Sequence, residues 1–218
     1  EPRIVVHFAI KHKCKKTSEL KKQYDRGEAD FHQIVAQMAN ISRTQAKTIN
    51  LGLFYGMGKN KLQNELGLKP EQASELFESY HKKVPFVKEI SEKFMQFANN
   101  EKLIYTLEDR FCRFDRYETT AKKWNKDKKI WQEWDRDKLE HVPVKLLTEI
   151  EAKAKAAELY NKTEDTKWEQ LSLEKQEEEF TEFFVPAFTY KTLNRMVQGS
   201  AADMTKKAMV DLYEKGIV

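Results

Sequence analysis

Arg43-Thr-Gln-Ala-Lys47-Thr-Ile-Asn-Leu51-Gly-Leu-Phe-Tyr55-Gly56 places an arginine, a lysine, an apolar residue and a tyrosine at successive intervals of four. On an α-helix such residues form one slowly drifting stripe, and at about 1.5 Å rise per residue the four side chains span roughly 18 Å. That is the scale of a nucleoside triphosphate stretched from its terminal phosphate to its base. The chemistry runs in matching order. Arg43 offers a planar fork for phosphate oxygens, Lys47 a mobile point charge for a second phosphate, Leu51 an apolar contact for a sugar, and Tyr55 a ring for a base. The same spacing also occurs on ordinary solvated helix faces, so the stripe by itself leaves both readings open.

Around it the pattern is helical. Asp30 is placed to cap a helix carrying Phe31, Ile34, Val35 and Met38 on one face, and Ser42 to cap the stripe helix, which Gly56-Met-Gly58 ends. A short helix is expected over 61–66, closed by Gly67. Pro70 starts a longer one with Ala73, Leu76, Phe77 and Tyr80 at core spacing, and Phe86 to Asn99 form another. Residues 104–114 alternate like a hairpin. The short run Ile4-Val5-Val6-His7-Phe8-Ala9 suits either a strand end or a buried helix start.

Composition agrees with this pattern. A chain of 218 residues with 34% charged and 40% hydrophobic residues buries one good core or two small ones, and no apolar run approaches the length that spans a bilayer. Only seven glycines and five prolines interrupt it, which favours long helices over a many-turned β fold. Cys14 and Cys112 lack metal-type spacing and read as free thiols of a reducing compartment. The net charge of +4 is unevenly spread. Residues 115–182 hold 14 Lys and Arg against 18 Asp and Glu, a balance of −4 that leaves the remainder at +8. A basic remainder suits contact with a polyanion. Its densest cluster, Lys11, Lys13, Lys15, Lys16, Lys21 and Lys22, equally fits a solvated surface.

Four segments in order then resemble one family. The stripe followed by Gly56, with Asp30-Phe-His32 upstream, resembles the fingers helix of family A DNA polymerases, the group of bacterial DNA polymerase I and many bacteriophage replicases. Glu1-Pro-Arg3-Ile-Val-Val looks like the second half of the family's first palm motif, and Asn194-Arg-Met-Val-Gln198-Gly-Ser-Ala-Ala-Asp203 is similar to a segment of a palm helix. Thr106-Leu-Glu-Asp109-Arg110-Phe111 looks like the family's Thr-Leu-x-Gly-Arg-Arg, with Asp109 for the glycine and Phe111 for the second arginine. Asp tolerates the left-handed turn conformation, whereas a role for the second arginine does not carry over. Ile49-Asn-Leu51-Gly-Leu and Lys83-Val-Pro-Phe-Val87 suggest the phage-like branch.

The resemblance implies a mainly α fold with a small β component, the fingers helices and a palm flank of a right-hand polymerase. Residues 1–29 would be a palm-derived segment, with a strand at 4–9 running into a helix. Residues 30–114 would be the fingers, 115–182 a charged, Trp-containing helical insertion, and 183–218 a palm helix segment. It further implies template-directed addition of deoxynucleotides to a primer 3′ end with release of pyrophosphate. Glu1, His32, Arg43, Lys47, Leu51 and Tyr55 would bind the deoxynucleoside triphosphate, with Lys47 also the catalytic proton donor to pyrophosphate. Arg3, Tyr55, Gly56, Arg110, Asn194 and Gln198 would touch primer–template DNA. Mg²⁺ is expected on ligands outside this chain, since the family's two aspartate motifs match nothing between Glu1 and Val218, and the 218 residues alone are expected to be inactive. Location would be cytoplasmic, in a host cell if phage-encoded, with an organellar origin left open. The alternative is a non-catalytic nucleotide- or DNA-binding module, or one half of a split polymerase. The insertion's Trp124, Trp131, Trp134 and Trp168 read as its own helical core, with Trp124 and Trp131 at a heptad interval, or else as a docking surface for DNA or an accessory protein.

Overall fold

Residues 2–27, 30–39, 41–135 and 138–217 are described by a computed structural model of the chain, mostly as helices joined by short connections. They fall into two units, one running to Cys112 and resuming at Tyr190, the other being Arg113–Thr189.

The first unit contains α1 (Pro2–Lys11), α2 (Thr17–Asp25), α3 (Phe31–Ala39), α4 (Arg43–Phe54), α5 (Lys59–Leu66), α6 (Pro70–Lys83) and α7 (Pro85–Glu101). The hairpin of β1 (Leu103–Tyr105) and β2 (Phe111–Arg113) follows, with Arg113 at the boundary between the units. Much later in sequence comes α10 (Thr192–Glu214). Helix α7 is central. It packs on α1, α6, β1 and α10 through a buried stripe of Phe86, Val87, Ile90, Phe94 and Ala98.

Helix α1 departs from the expected strand. Its β-branched run is helical from Pro2, because Val5 and Ala9, one turn apart, are completely buried and Phe8 meets Phe94 edge-on with centroids 5.5 Å apart. Burial of that face outweighs the slight helix penalty of Ile and Val. Helix α7 also runs past the expected end at Asn99, stopping where Lys102 adopts φ 58°.

The other boundaries follow local chemistry. Ser42 and Gln45 form a reciprocal cap at the start of α4, and Gly56 at φ 75° ends it in a conformation that favours glycine. Asp30 caps α3 by accepting from the backbone N–H of His32 and Gln33, both at 3.0 Å. Phe31 is buried as expected, while the side chains of Ile34, Val35 and Met38 lie outside the described residues.

In the second unit, β3 (Tyr117–Thr119) pairs with β7 (Phe184–Pro186), and β4 (Lys123–Asn125), β5 (Ile130–Asp135) and β6 (Glu140–Pro143) form an antiparallel meander. Helices α8 (Glu149–Thr163) and α9 (Leu173–Phe183) complete it. Tyr117, Leu147, Ala152, Ala156, Tyr160, Trp168, Phe180 and Phe184 are its core.

This unit corrects two expectations. The described residues between Lys123 and Pro143 form strands and turns rather than helices, and of the four tryptophans only Trp168 joins the core. Trp124, Trp131 and Trp134 stay about half exposed. The seven-residue interval between Trp124 and Trp131 is a cross-strand pair around a turn, not a heptad.

Candidate nucleotide-binding face

The two sides of α4 are sharply different. Ala46, Ile49, Asn50, Leu53 and Phe54 are buried, whereas Arg43 and Lys47 are exposed and Leu51 and Tyr55 half-buried, so the stripe remains accessible along its length. Gly56, next in the chain, is exposed.

Asp30 ties this helix to α3. While one carboxylate oxygen caps α3, the other accepts from Arg43 Nε at 2.8 Å. The Arg43 hydrogen bond, helped by the backbone N–H of Gln33, holds the Asp30 carboxyl below its usual range, so it stays charged at neutral pH. Arg43 is thereby aimed from the first turn of α4, still more than half exposed.

His32 stands on α3 with its Nδ1 3.0 Å from Asn50 Nδ2. Burial, opposed by Asp30 and assisted by Arg43 and Lys47, lowers its pKa and keeps the imidazole neutral. With the Asn50 amide assigned as donor, Nδ1 accepts and the remaining N–H is on Nε2, a donor without a charge. Asn50 Oδ1 is fully buried and finds no hydrogen-bond partner among the described residues. Asn50 is a supporting residue that the sequence did not single out; its apolar-face position on α4 gave no sign that it would meet α3.

A second group forms on α10. Asn194 and Gln198 lie one turn apart, half-buried and exposed respectively. Beside them the β1–β2 turn docks on the helix. Asp203 accepts from Thr106 Oγ1 at 2.6 Å and from Arg110 Nε at 2.8 Å, and the Leu107 N–H donates to Ser200 Oγ at 3.0 Å. These bonds, the one from Thr106 first, lower the Asp203 pKa. Arg110 also donates to the Gly199 carbonyl at 3.2 Å. Asp109 takes φ 54° in the turn, the left-handed conformation expected of a glycine substitute. Arg110 therefore has a structural engagement, and Thr106, Ser200 and Asp203 are partners that local spacing did not reveal.

Arg3 is exposed on α1, its guanidinium 5.8 Å from the centroid of Tyr24. Glu1 lies outside the described residues. Among the described residues no cluster of three or more His, Cys, Asp or Glu is placed to hold a metal ion. Asp30 and Asp203 are each engaged by an arginine, so these residues do not fit the Mg²⁺ that the resemblance implies.

Comparison with known proteins shows the family of the chain. Residues 3–133 match the model of DNA polymerase family A. The chain is 27% identical over 259 residues to a DNA-directed DNA polymerase of Pseudomonas phage M6, the alignment covering all of this chain and 29% of that protein. It is 31% identical over 115 residues to DNA polymerase DpoZ of Acinetobacter phage SH-Ab 15497, covering 41% of this chain and 18% of the other. Among solved structures, the POL domain of Pol1 from M. smegmatis, in complex with DNA primer-template and dNTP, shares the fold with a TM-score of 0.50 and 18% identity, over 89% of this chain and 26% of that one. The chain belongs to DNA polymerase family A. It spans less than a third of the length of these curated relatives. No helix among the described residues is long and apolar enough to cross a membrane.

Proposed function

We propose that this chain carries the deoxynucleotide-binding fingers and a palm flank of a template-directed DNA polymerase, in which a primer 3′ end gains a nucleotide and pyrophosphate leaves. The observation that carries the reading is the accessible stripe Arg43, Lys47, Leu51, Tyr55 on a helix whose other face is buried and whose first turn is braced by Asp30. Arg43 binds the outer phosphate through its fork. Lys47, one turn on, neutralises the next and gives a proton to the departing pyrophosphate, while neutral His32 donates Nε2–H to a phosphate oxygen. Leu51 packs on the sugar, and Tyr55 with Gly56 lies against the templating base. Glu1 screens the 2′ position. Asn194 and Gln198 read acceptors on the minor-groove side that nearly every correct pair presents, with Arg3 and Arg110 near the DNA backbone. Family A polymerases use divalent metal, and the ligands for Mg²⁺ belong to residues other than those described. The domain assignment follows: fingers over 30–114, palm-derived segments at 1–29 and 183–218, and an insertion at 115–182.

Lys47→Ala in the complete polymerase tests this reading. Its single-turnover incorporation rate should fall about a hundredfold or more with primer–template affinity nearly unchanged, since the charge is directed at the nucleotide and not at the duplex. Weakened DNA binding at an unchanged rate would overturn it.

A further inference from the structure

The β4–β5 hairpin combines two features that the core of its unit does not use. Trp124 and Trp131 face each other across the strands, edge to face with centroids 5.4 Å apart, and remain 47% and 46% exposed. The hairpin and its turn also carry five lysines, at 122, 123, 126, 128 and 129, against Asp127 alone in that stretch, although the insertion as a whole is acidic. Lys122 pairs with Glu118 and holds its ammonium 5.1 Å from the Trp131 centroid. Lys123, Lys126, Lys128 and Lys129 join none of the ion pairs found among the described residues, and all four are exposed.

The scaffold beneath is ordered for display. Asn125 Oδ1 accepts from the backbone N–H of both Asp127 and Lys128, closing the turn, and Lys129 takes φ 51°. Asn125 Nδ2 donates to Gln132 Oε1 at 2.7 Å, and the buried Gln132 reaches the His141 carbonyl on β6. Exposed indoles on a hairpin whose strand and turn carry four exposed lysines outside any ion pair match the two requirements of single-stranded nucleic acid: flat faces for unstacked bases and cations for the connecting phosphates. An acidic protein segment would use the lysines but has no general need of stacking faces. A duplex, its bases already stacked, would leave the indoles unused.

We propose that the β4–β5 hairpin binds single-stranded DNA, with bases stacking on Trp124 and Trp131 and the phosphate chain following Lys123, Lys126, Lys128 and Lys129. Only the choice of DNA over RNA rests on the polymerase function proposed above. Trp168 is buried while Trp124, Trp131 and Trp134 are about half exposed, so quenching by a bound base is read from the indoles of this sheet.

The test is titration of the 218-residue chain with a twelve-nucleotide oligothymidylate, read both by indole quenching and by anisotropy of the labelled oligonucleotide. Saturable quenching is expected. The Trp124→Ala, Trp131→Ala double variant should weaken binding tenfold or more. Replacing Lys123, Lys126, Lys128 and Lys129 by Gln, all exposed positions that leave the fold intact, should flatten the logarithmic salt dependence by about 3. Absence of quenching, or wild-type affinity and salt slope in both variants, overturns the proposal. So does displacement of the oligonucleotide by a polyglutamate of equal charge at equal concentration, which would assign the hairpin to an acidic protein. Deoxynucleotide binding by the same variants should match wild type whichever result is obtained, which separates this outcome from a failure of the stripe.

Discussion

Single atoms decide how α10 meets the β1–β2 turn. A Cβ added at Gly199 would lie 2.8 Å from Thr106 Cγ2 and 3.2 Å from an Arg110 guanidinium nitrogen, so the helix approaches this closely only because the position is glycine. Gly199→Ala should lower stability by about 1–3 kcal/mol, since Thr106 is fixed by its bond to Asp203 and cannot simply turn away. Urea denaturation of the 218-residue chain measures this, and an unchanged midpoint would mean that the turn can lift off the helix without cost. Asp203→Ala tests the same contact from the other partner. It leaves the buried Thr106 hydroxyl without its acceptor and should lower the urea midpoint about as far as Gly199→Ala does, mostly through that bond, because the Arg110 arm is more than half exposed and screened by solvent. A loss under half that size would assign the docking to apolar contacts instead.

At the scale of elements, α4 depends on its first turn for stability as well as position. Ser42→Ala removes the acceptor for the Gln45 N–H and should cost about 1 kcal/mol. Because the Asp30–Arg43 contact presupposes a formed first turn, the substitution should also weaken deoxynucleotide binding, whereas Ser42→Asp should preserve both. Calorimetry with and without nucleotide distinguishes a stability effect from a binding effect. Nucleotide affinity indifferent to the cap would show that Arg43 is aimed by Asp30 alone. The ends of this helix were legible in sequence, since the Ser42 cap and the terminal glycine act within a few residues. The sheet of the insertion was not. An interval of seven residues fits a heptad and a cross-strand pair equally well, and the choice depends on which surface is available to cover the rings.

Across the whole molecule, protonation gives a directional expectation. His12, His32 and His81, all in the first unit, have pKa values lowered from the ordinary 6.5, burial being the largest cause in each. Below about pH 6.5 the unfolded chain takes up protons that the folded chain resists, so stability is present above that pH and falls as pH drops toward the folded values. Asp30, Glu89 and Asp203 are shifted downward, so the stability they contribute is present above the ordinary carboxylate range and disappears only at more acidic pH. Thermal denaturation should therefore shift to lower temperature between pH 7.5 and 5.5, and His12→Gln with His81→Gln should flatten that dependence. A flat wild-type profile over this interval would show that these imidazoles are protonated without loss of packing.

By itself the sequence determined the family, the limits of α4 and the order of groups along its stripe, because each is written in spacings of four residues or fewer, where helix geometry leaves little freedom. Tertiary structure decided the rest. Whether Ile4–Ala9 is helix or strand depended on α7 burying one of its faces, and whether the tryptophans fill a core depended on α8 and α9 enclosing Trp168 while the hairpin stayed outside. The partners of Asp203 lie 97 and 93 residues away, and Asn50 meets His32 across 18. Such pairings are set by the burial of whole faces, which is a sum over many distant contacts and leaves no local mark at the residues it brings together.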